Sequence, residues 1–511
     1  MQGAEDCGHR SAKGGLVDAA NVRREGVCIP GPGWARYIVA MNLSPEAQVL
    51  APIVVAVIVL WVTEALPLAV AALLGAVACV VAGVAPAKEV FRPFADPLIF
   101  LFIGSFLIAE AIRLHGIDRR LAYGVLSWPW VGERPGRIIA AVALVCVMIS
   151  AFISNTCTAA MMVAIVSGIL GAIDMAGRQT GRKPDPAFAT GLYLCVAFSA
   201  SIGGLATPIG TPPNLIGLSF IREEAGVAVS FLGWCLVGVP LVAVMTTVAV
   251  AVLQRMFPAG LERIEGVASF VAAERGRLGP WTAGQRSTAV VVAVTVALWV
   301  LPGVLVAILG AAQPVSRWLG QRLPEGVAAL IGAILLFILP GDRSADGTRP
   351  RVLAWREARI DWDIVLLYGG GMALGELCFS TGLAAAFGEA MQAVIPAGPW
   401  AGTVLVAVAA AVAVVTSEFT SNTASATMVV PVVIALARAT GSDPLPAALA
   451  ATFAASLGFM MPVSTPCNAL VYGTGRIPLR AMLRSGAIID VAGALLVVAV
   501  MLVVGRVWTS S

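Results

Sequence analysis

Long apolar runs dominate the chain, and they fall into two series of the same form. Runs of membrane-spanning length, roughly 20 residues each, are predicted near 47–64, 66–84 and 96–115. A longer run covers about 137–173, an interrupted one about 187–220, and a plain one about 230–254. The order then repeats. Spans near 286–308, 325–340 and 362–385 precede a long run at about 400–438, an interrupted one at about 446–472, and a last span at about 484–507. One straight helix over 137–173 would reach ~55 Å, well beyond a hydrocarbon core of ~30 Å. Both long runs carry polar residues at their centres, Ser154-Asn155-Thr156 and Ser421-Asn422-Thr423. Two half-helices meeting at the polar turn, a re-entrant hairpin, fit that length better.

The pattern therefore predicts an all-α polytopic membrane protein of two repeats, each with five transmembrane helices and one re-entrant hairpin. An odd number of crossings inverts the second repeat relative to the first. The predicted division is a polar N-terminal tail at 1–46, a first repeat at 47–257, a cytoplasmic linker at 258–285 and a second repeat at 286–511.

Composition agrees: 59% of residues are hydrophobic and 12% charged, against about 25% charged in a soluble domain. Charge placement sets the orientation. With the first hairpin entering from the cytoplasm, cytoplasmic loops hold 21 basic residues and the opposite side seven, as the positive-inside rule requires. Arg10, Lys13, Arg23, Arg24 and Arg36 in the tail run against that placement, and a start at Met41 removes the conflict. The tail is expected to be loosely attached. Basic charge is almost all Arg, which points to a GC-rich bacterial genome and hence the cell inner membrane.

The candidate chemistry lies in four polar breaks. Ser150 and Ser417 each stand four residues before the Ser of a Ser-Asn-Thr turn, and Gly210-Thr211-Pro212-Pro213-Asn214 and Ser464-Thr465-Pro466-Cys467-Asn468 follow further on. Backbone that leaves the helix inside a bilayer is tolerated only where it is buried in protein or lines a cavity. Matching interruptions in two halves point to the substrate site of a secondary transporter. A single such motif reads as helix–helix glue; four in paired positions do not. Hydroxyls, carboxamide oxygens and half-helix C-termini suit a cation, and half-helix N-termini suit an anion. None of the four motifs contains Lys or Arg, so an anion there would be neutralised by co-bound cations, which ties its affinity to theirs.

Other features carry less. Glu64, Glu110, Glu376 and Glu418 lie near or within spans, where acids are functional suspects; for Glu418 a hydrogen-bonded acid holding the second hairpin is preferred over a proton carrier or a support for a cation site. Gly369-Gly370-Gly371 reads as close helix packing rather than phosphate binding. The nine cysteines and two histidines form no CxxC or HExxH pattern, which argues against a metalloenzyme. Neither an organic cofactor nor a nucleic acid partner is indicated. An ion channel would need a continuous polar pore in place of two paired breaks.

The paired Ser-Asn-Thr turns and Ser201-Ile202-Gly203-Gly204 running into Thr211-Pro212-Pro213-Asn214 resemble the divalent anion:sodium symporter family. Thr63-Glu64-Ala65-Leu66, Tyr368-Gly369-Gly370-Gly371 and Met461-Pro462-Val463-Ser464-Thr465-Pro466 also match it, from about residue 47 onward. The resemblance implies an elevator-type transporter fold and a homodimer. It implies one Na+ site at Ser150, Ser154, Asn155 and the Gly210 carbonyl, and a second at Ser417, the Thr420 carbonyl, Ser421, Asn422 and Ser464. The substrate would lie between Asn155, Thr156, Thr211 and Pro212 on one side and Asn422, Thr423, Thr465 and Pro466 on the other. Three departures stand out: one N-terminal span fewer than usual, Cys467 in place of the second Pro of Thr-Pro-Pro-Asn, and no soluble insertion of the kind found in sulfate-carrying relatives. The last favours carboxylates. The expectation is Na+-coupled uptake of a C4-dicarboxylate such as succinate, malate or fumarate. Sulfate or citrate symport, or Na+-independent dicarboxylate exchange, are the alternatives.

Overall fold

Helices begin where the sequence supplies a cap. Asp96-Pro97, Asp185-Pro186 and Asp443-Pro444 each open a helix, with the Asp carboxylate accepting the backbone N–H two residues on at 2.8–2.9 Å and proline at the first helical position, where its missing N–H costs nothing. The computed structural model describes residues 43–181, 184–310, 312–343, 347–391, 398 and 400–508. Residues 1–42 of the expected tail, Met41 among them, lie outside the described residues, as do Arg182 and Lys183, whereas Ser44 caps the first helix and Pro45 opens it.

In chain order the first half contains α1 (Pro45–Thr63), α2 (Leu68–Val81), α3 (Pro97–Leu114), α4 (Ile117–Leu126), α5 (Pro135–Ser150), α6 (Asn155–Thr180), α7 (Pro186–Gly203), α8 (Pro212–Ala225) and α9 (Phe231–Met256). A short α10 (Val267–Arg277) follows. The second half contains α11 (Ala283–Leu309), α12 (Pro314–Arg322), α13 (Glu325–Ile338), α14 (Trp362–Ser380), α15 (Leu383–Met391), α16 (Ala401–Phe419), α17 (Asn422–Ala439), α18 (Pro444–Ala454), α19 (Pro466–Tyr472) and α20 (Leu479–Trp508). Among the described residues, ten helices are long and apolar enough to cross a membrane. No strand occurs among the described residues, only an isolated bridge between Pro340 and Arg351.

Both long runs fold back on themselves. Cys195 Sγ of α7 donates to Ile139 O of α5 at 3.4 Å, and nearby Tyr193 OH meets Ser167 Oγ of α6 at 2.9 Å. In one straight helix Ile139 and Ser167 would stand ~40 Å apart, so α5 and α6 form a hairpin. Ser425 Oγ of α17 donates to Ala413 O of α16 at 2.9 Å, across what would be ~18 Å of straight helix. That closes the second.

Packing follows a two-fold pattern. The α3–α13 and α2–α14 contacts correspond, as do α5–α7 and α16–α18, and α6–α7 and α17–α18; α9 pairs with its own counterpart α20. The second half of each broken helix crosses over, α8 onto α17 and α18, and α19 onto α6 and α7. At the centre α7 is almost wholly buried, whereas α11 turns most of its surface outward.

The glycine run packs as expected. A Cβ on Gly369 would meet the Phe94 ring at 2.4 Å, one on Gly370 Ala72 Cβ at 2.7 Å, and one on Gly371 Thr427 Cγ2 at 2.4 Å. Some expectations need correcting. The interrupted segment at 446–472 is broken, but over a longer stretch than Thr465-Pro466: α18 stops at Ala454 and helix resumes only at Pro466, across backbone that holds Gly458 and Pro462. The segment 258–285 contains the helix α10, and the run at 362–385 ends at Ser380, with α15 a separate short helix. Glu110 and Glu376 sit at helix margins in ion pairs, with Arg113 and Arg359 for the first and Arg92 for the second, so neither is an isolated intramembrane acid.

Candidate functional site

The hairpin turns and broken helices meet in two matching clusters. In the first, Ser150 at the end of α5 donates to Asn155 Oδ1 at 2.6 Å, and Thr207 Oγ1 donates to the carbonyl of Ala151. In the second, Ser417 Oγ lies 2.7 Å from Asn422 Oδ1 and 2.8 Å from Ala455 O, and Ser464 Oγ lies 3.0 Å from Glu418 O. Both serines are fully buried. The serine bond turns the oxygen of each Asn inward and leaves its Nδ2 as the group able to donate to an anion.

Backbone completes each cluster. A Cβ on Gly204 would lie 2.6 Å from Asn155 Oδ1 and 3.1 Å from Thr211 Cβ, and one on Gly210 would lie 2.4 Å from Gly204 O. Asn155, Gly204, Gly210 and Thr211 are therefore contiguous. A Cβ on Gly458 would meet Ser417 Oγ at 3.1 Å and Ser464 Cβ at 3.3 Å, which brings Ser417, Gly458 and Ser464 together. Chain ends of opposite sign face each break: α5, α7, α16 and α18 stop there with carbonyls exposed to it, and α6, α8, α17 and α19 start there with N–H groups.

The remaining candidates sit on the same turns. Ser154 precedes α6 and makes no cap bond with its side chain, whereas Ser421 caps α17 through Ala424 N at 3.2 Å. Thr420 is extended (φ −138°, ψ 177°), which takes its carbonyl out of the helix ladder. Thr156 and Thr423 occupy the second position of α6 and α17, partly exposed. Thr211 and Thr465 are the extended residues before α8 and α19, with Pro212 and Pro466 at the first helical position. The two clusters approach through Phe198 and Phe459, whose rings lie 5.2 Å apart edge to face, and through Cys467, which lies beside Ser201.

Three side chains carry roles that the sequence did not assign, two of them within the Thr-Pro breaks it marked. Asn214 donates through Nδ2 to Gly204 O at 2.9 Å and Thr207 O at 2.8 Å; Asn468 does the same to Gly458 O and Met461 O, both at 2.9 Å. Their shared place in the Thr-Pro breaks was the signal. Asp490 of α20 is buried, accepts from Phe459 N at 3.3–3.4 Å and faces Glu418. Glu418 accepts from Met460 N at 2.9 Å, Met461 N at 3.0 Å and Ser464 Oγ at 2.7 Å. It is thus a hydrogen-bonded acid that holds the second break. Alone in an apolar span, Asp490 gave no pattern to read.

Two inverted repeats, each with a re-entrant hairpin and a broken helix meeting at a polar turn, define the class as a polytopic membrane transporter of the inverted-repeat type. Residues 38–510 match the family described as the sodium:sulfate symporter transmembrane region, and the chain belongs to that family. It is 29% identical over 463 residues to a protein named sodium-dependent dicarboxylate transporter SdcS from Staphylococcus saprophyticus, covering 90% of this chain and 86% of that one. It is 28% identical over 444 residues to the SdcS of Staphylococcus aureus strain USA300, covering 86% and 82%. Among solved structures it shares the fold of the Alcanivorax borkumensis YdaH transporter, at a TM-score of 0.53 and 14% identity, over 82% of this chain and 87% of that one.

Proposed function

We propose that the chain is a Na+-coupled importer of a small dianion, a C4-dicarboxylate such as succinate, malate or fumarate, and a carrier rather than an enzyme. The observation that carries this reading is the doubled break, in which a buried Ser–Asn pair and free helix ends meet with no Lys or Arg in the motifs. Relatives named for sodium and dicarboxylate support both substrates. One Na+ binds Ser150, Ser154, Asn155 and the Gly210 carbonyl; a second binds Ser417, the Thr420 carbonyl, Ser421, Asn422 and Ser464. The dianion is held by Asn155, Thr156, Thr211 and Pro212 from one side and by Asn422, Thr423, Thr465 and Pro466 from the other. The cations neutralise it, so neither binds well alone.

The repeats divide at 47–257 and 286–511, with 258–285 as a cytoplasmic linker, a division that the matched helix pairs support. The two hairpins and the two broken helices form the moving body of an elevator. The other helices form the scaffold of a homodimer in the cell membrane of a bacterium. Labelled succinate uptake into proteoliposomes, first with an inward Na+ gradient and then with K+ replacing Na+, tests the reading. Uptake with Na+ alone is expected. Equal uptake in K+, stimulated by internal dicarboxylate, would make the protein an exchanger, and uptake of sulfate without succinate would move the substrate to sulfate.

A further inference from the structure

Asn214 and Asn468 stand outside both proposed sodium ligand sets, yet they share an unusual geometry. Both are fully buried. Each spends its Nδ2 hydrogens on carbonyls ten and seven residues upstream, Gly204 and Thr207 in one repeat and Gly458 and Met461 in the other. This fixes the orientation of the carboxamide, because a flipped amide would set its oxygen against two carbonyl oxygens. Each Oδ1 is shielded from solvent and reaches no hydrogen-bond donor. These are the only side-chain amide oxygens so placed among the described residues; the other buried orphans are hydroxyls and one guanidinium nitrogen. A buried acceptor without a donor costs free energy. One that recurs at the same offset in both halves belongs to the design of the break.

The neighbourhood is that of the cation sites. Asn214 holds the carbonyl of Gly204, which packs against Asn155 Oδ1 and Gly210. Asn468 holds the carbonyl of Gly458, which packs against Ser417 and Ser464. A cation, unlike a donor-bearing side chain, is satisfied by oxygen dipoles alone. We infer that Asn214 Oδ1 and Asn468 Oδ1 are oxygen ligands of the two co-transported sodium ions, one in each repeat, while their amide hydrogens hold the break in shape around the ion. The inference rests on the sodium-coupled reading above.

Alanine and aspartate variants at each position separate a ligand from a staple. Asn→Ala removes both the oxygen and the donors; Asn→Asp keeps an oxygen and removes the donors. Purified wild type and variants, with substrate absent, are titrated with Na+ against a choline background, and thermal stabilisation is read. For a ligand, the alanine variants should need about tenfold more Na+ or more for half-maximal stabilisation, with a clearly smaller shift in the aspartate variants. Those keep the oxygen, although loss of the donors lowers their melting midpoint without Na+. Equal loss in alanine and aspartate variants would reduce the residues to staples and overturn the inference. So would wild-type Na+ dependence in both, the result for an oxygen satisfied by water. Absence of any Na+ response in the wild type would overturn the sodium reading itself, and the inference with it. The two repeats provide independent pairs of variants. Uptake by whole cells at limiting and saturating Na+ reads the same contrast where an alanine variant does not survive purification.

Discussion

The functional chemistry rests on few atoms, and single substitutions should separate site from scaffold. Asn155→Ala and Asn422→Ala each remove the oxygen that meets a buried serine at 2.6 or 2.7 Å. Both sit on half-exposed turns rather than in the core. Uptake should fall about tenfold or more, while each purified variant elutes as the wild type does; wild-type uptake in either would remove that Asn from the site. Gly204→Ala makes a sharper case. Its new methyl would lie 2.6 Å from Asn155 Oδ1, and the group free to yield is the tip of the Asn155 side chain. The fold should tolerate the change and transport should not. Gly124→Ala, where a Cβ meets nothing within 4 Å, is the matched control, and uptake by the two variants at equal protein compares them.

At the scale of elements, the second break depends on a carboxylate that the first lacks. Glu418 takes two backbone N–H groups and the Ser464 hydroxyl, whereas its counterpart Ala151 offers only a carbonyl. Glu418→Gln keeps one acceptor oxygen but sets its NH2 group against the backbone N–H that the other oxygen served, and should cost about 1–3 kcal/mol, visible as a lower melting midpoint in detergent. An unchanged midpoint would mean that the loop holds itself. Gly370→Ala should also destabilise, by about 1–3 kcal/mol, because its Cβ meets backbone of α2 at 2.9 Å as well as the Ala72 methyl. Much of this level is written in the chain. Run length and the central Ser-Asn-Thr predict both hairpins, and Asp-Pro pairs mark where helices open. The short helices α4, α10, α12 and α15 are not legible in the same way, since charged or brief segments lack the apolar length that signals a span. Nor is the grip of Asn214 and Asn468 on carbonyls up to ten residues upstream, because only the unwound backbone between them brings those groups together.

For the whole molecule, orientation follows from parity and charge together. If each repeat crosses five times, the repeats are inverted and their hairpins enter from opposite sides. The 21-to-seven distribution of basic residues then fixes which hairpin faces the cytoplasm. Two exposed positions read the result directly. Ala273 lies on α10, beside Arg275 and Arg277, and Ala228 lies in the loop between α8 and α9. In a cysteine-free background, Ala228→Cys should react with a membrane-impermeant maleimide in intact cells. Ala273→Cys should react only after permeabilisation. The reverse pattern would place the α5–α6 hairpin on the outside. Labelling of both positions in intact cells would break the parity on which the inverted repeat stands. The expected pattern puts one break within reach of each side of the membrane, so that a single buried site between them can be approached from either compartment as the hairpin-bearing body moves.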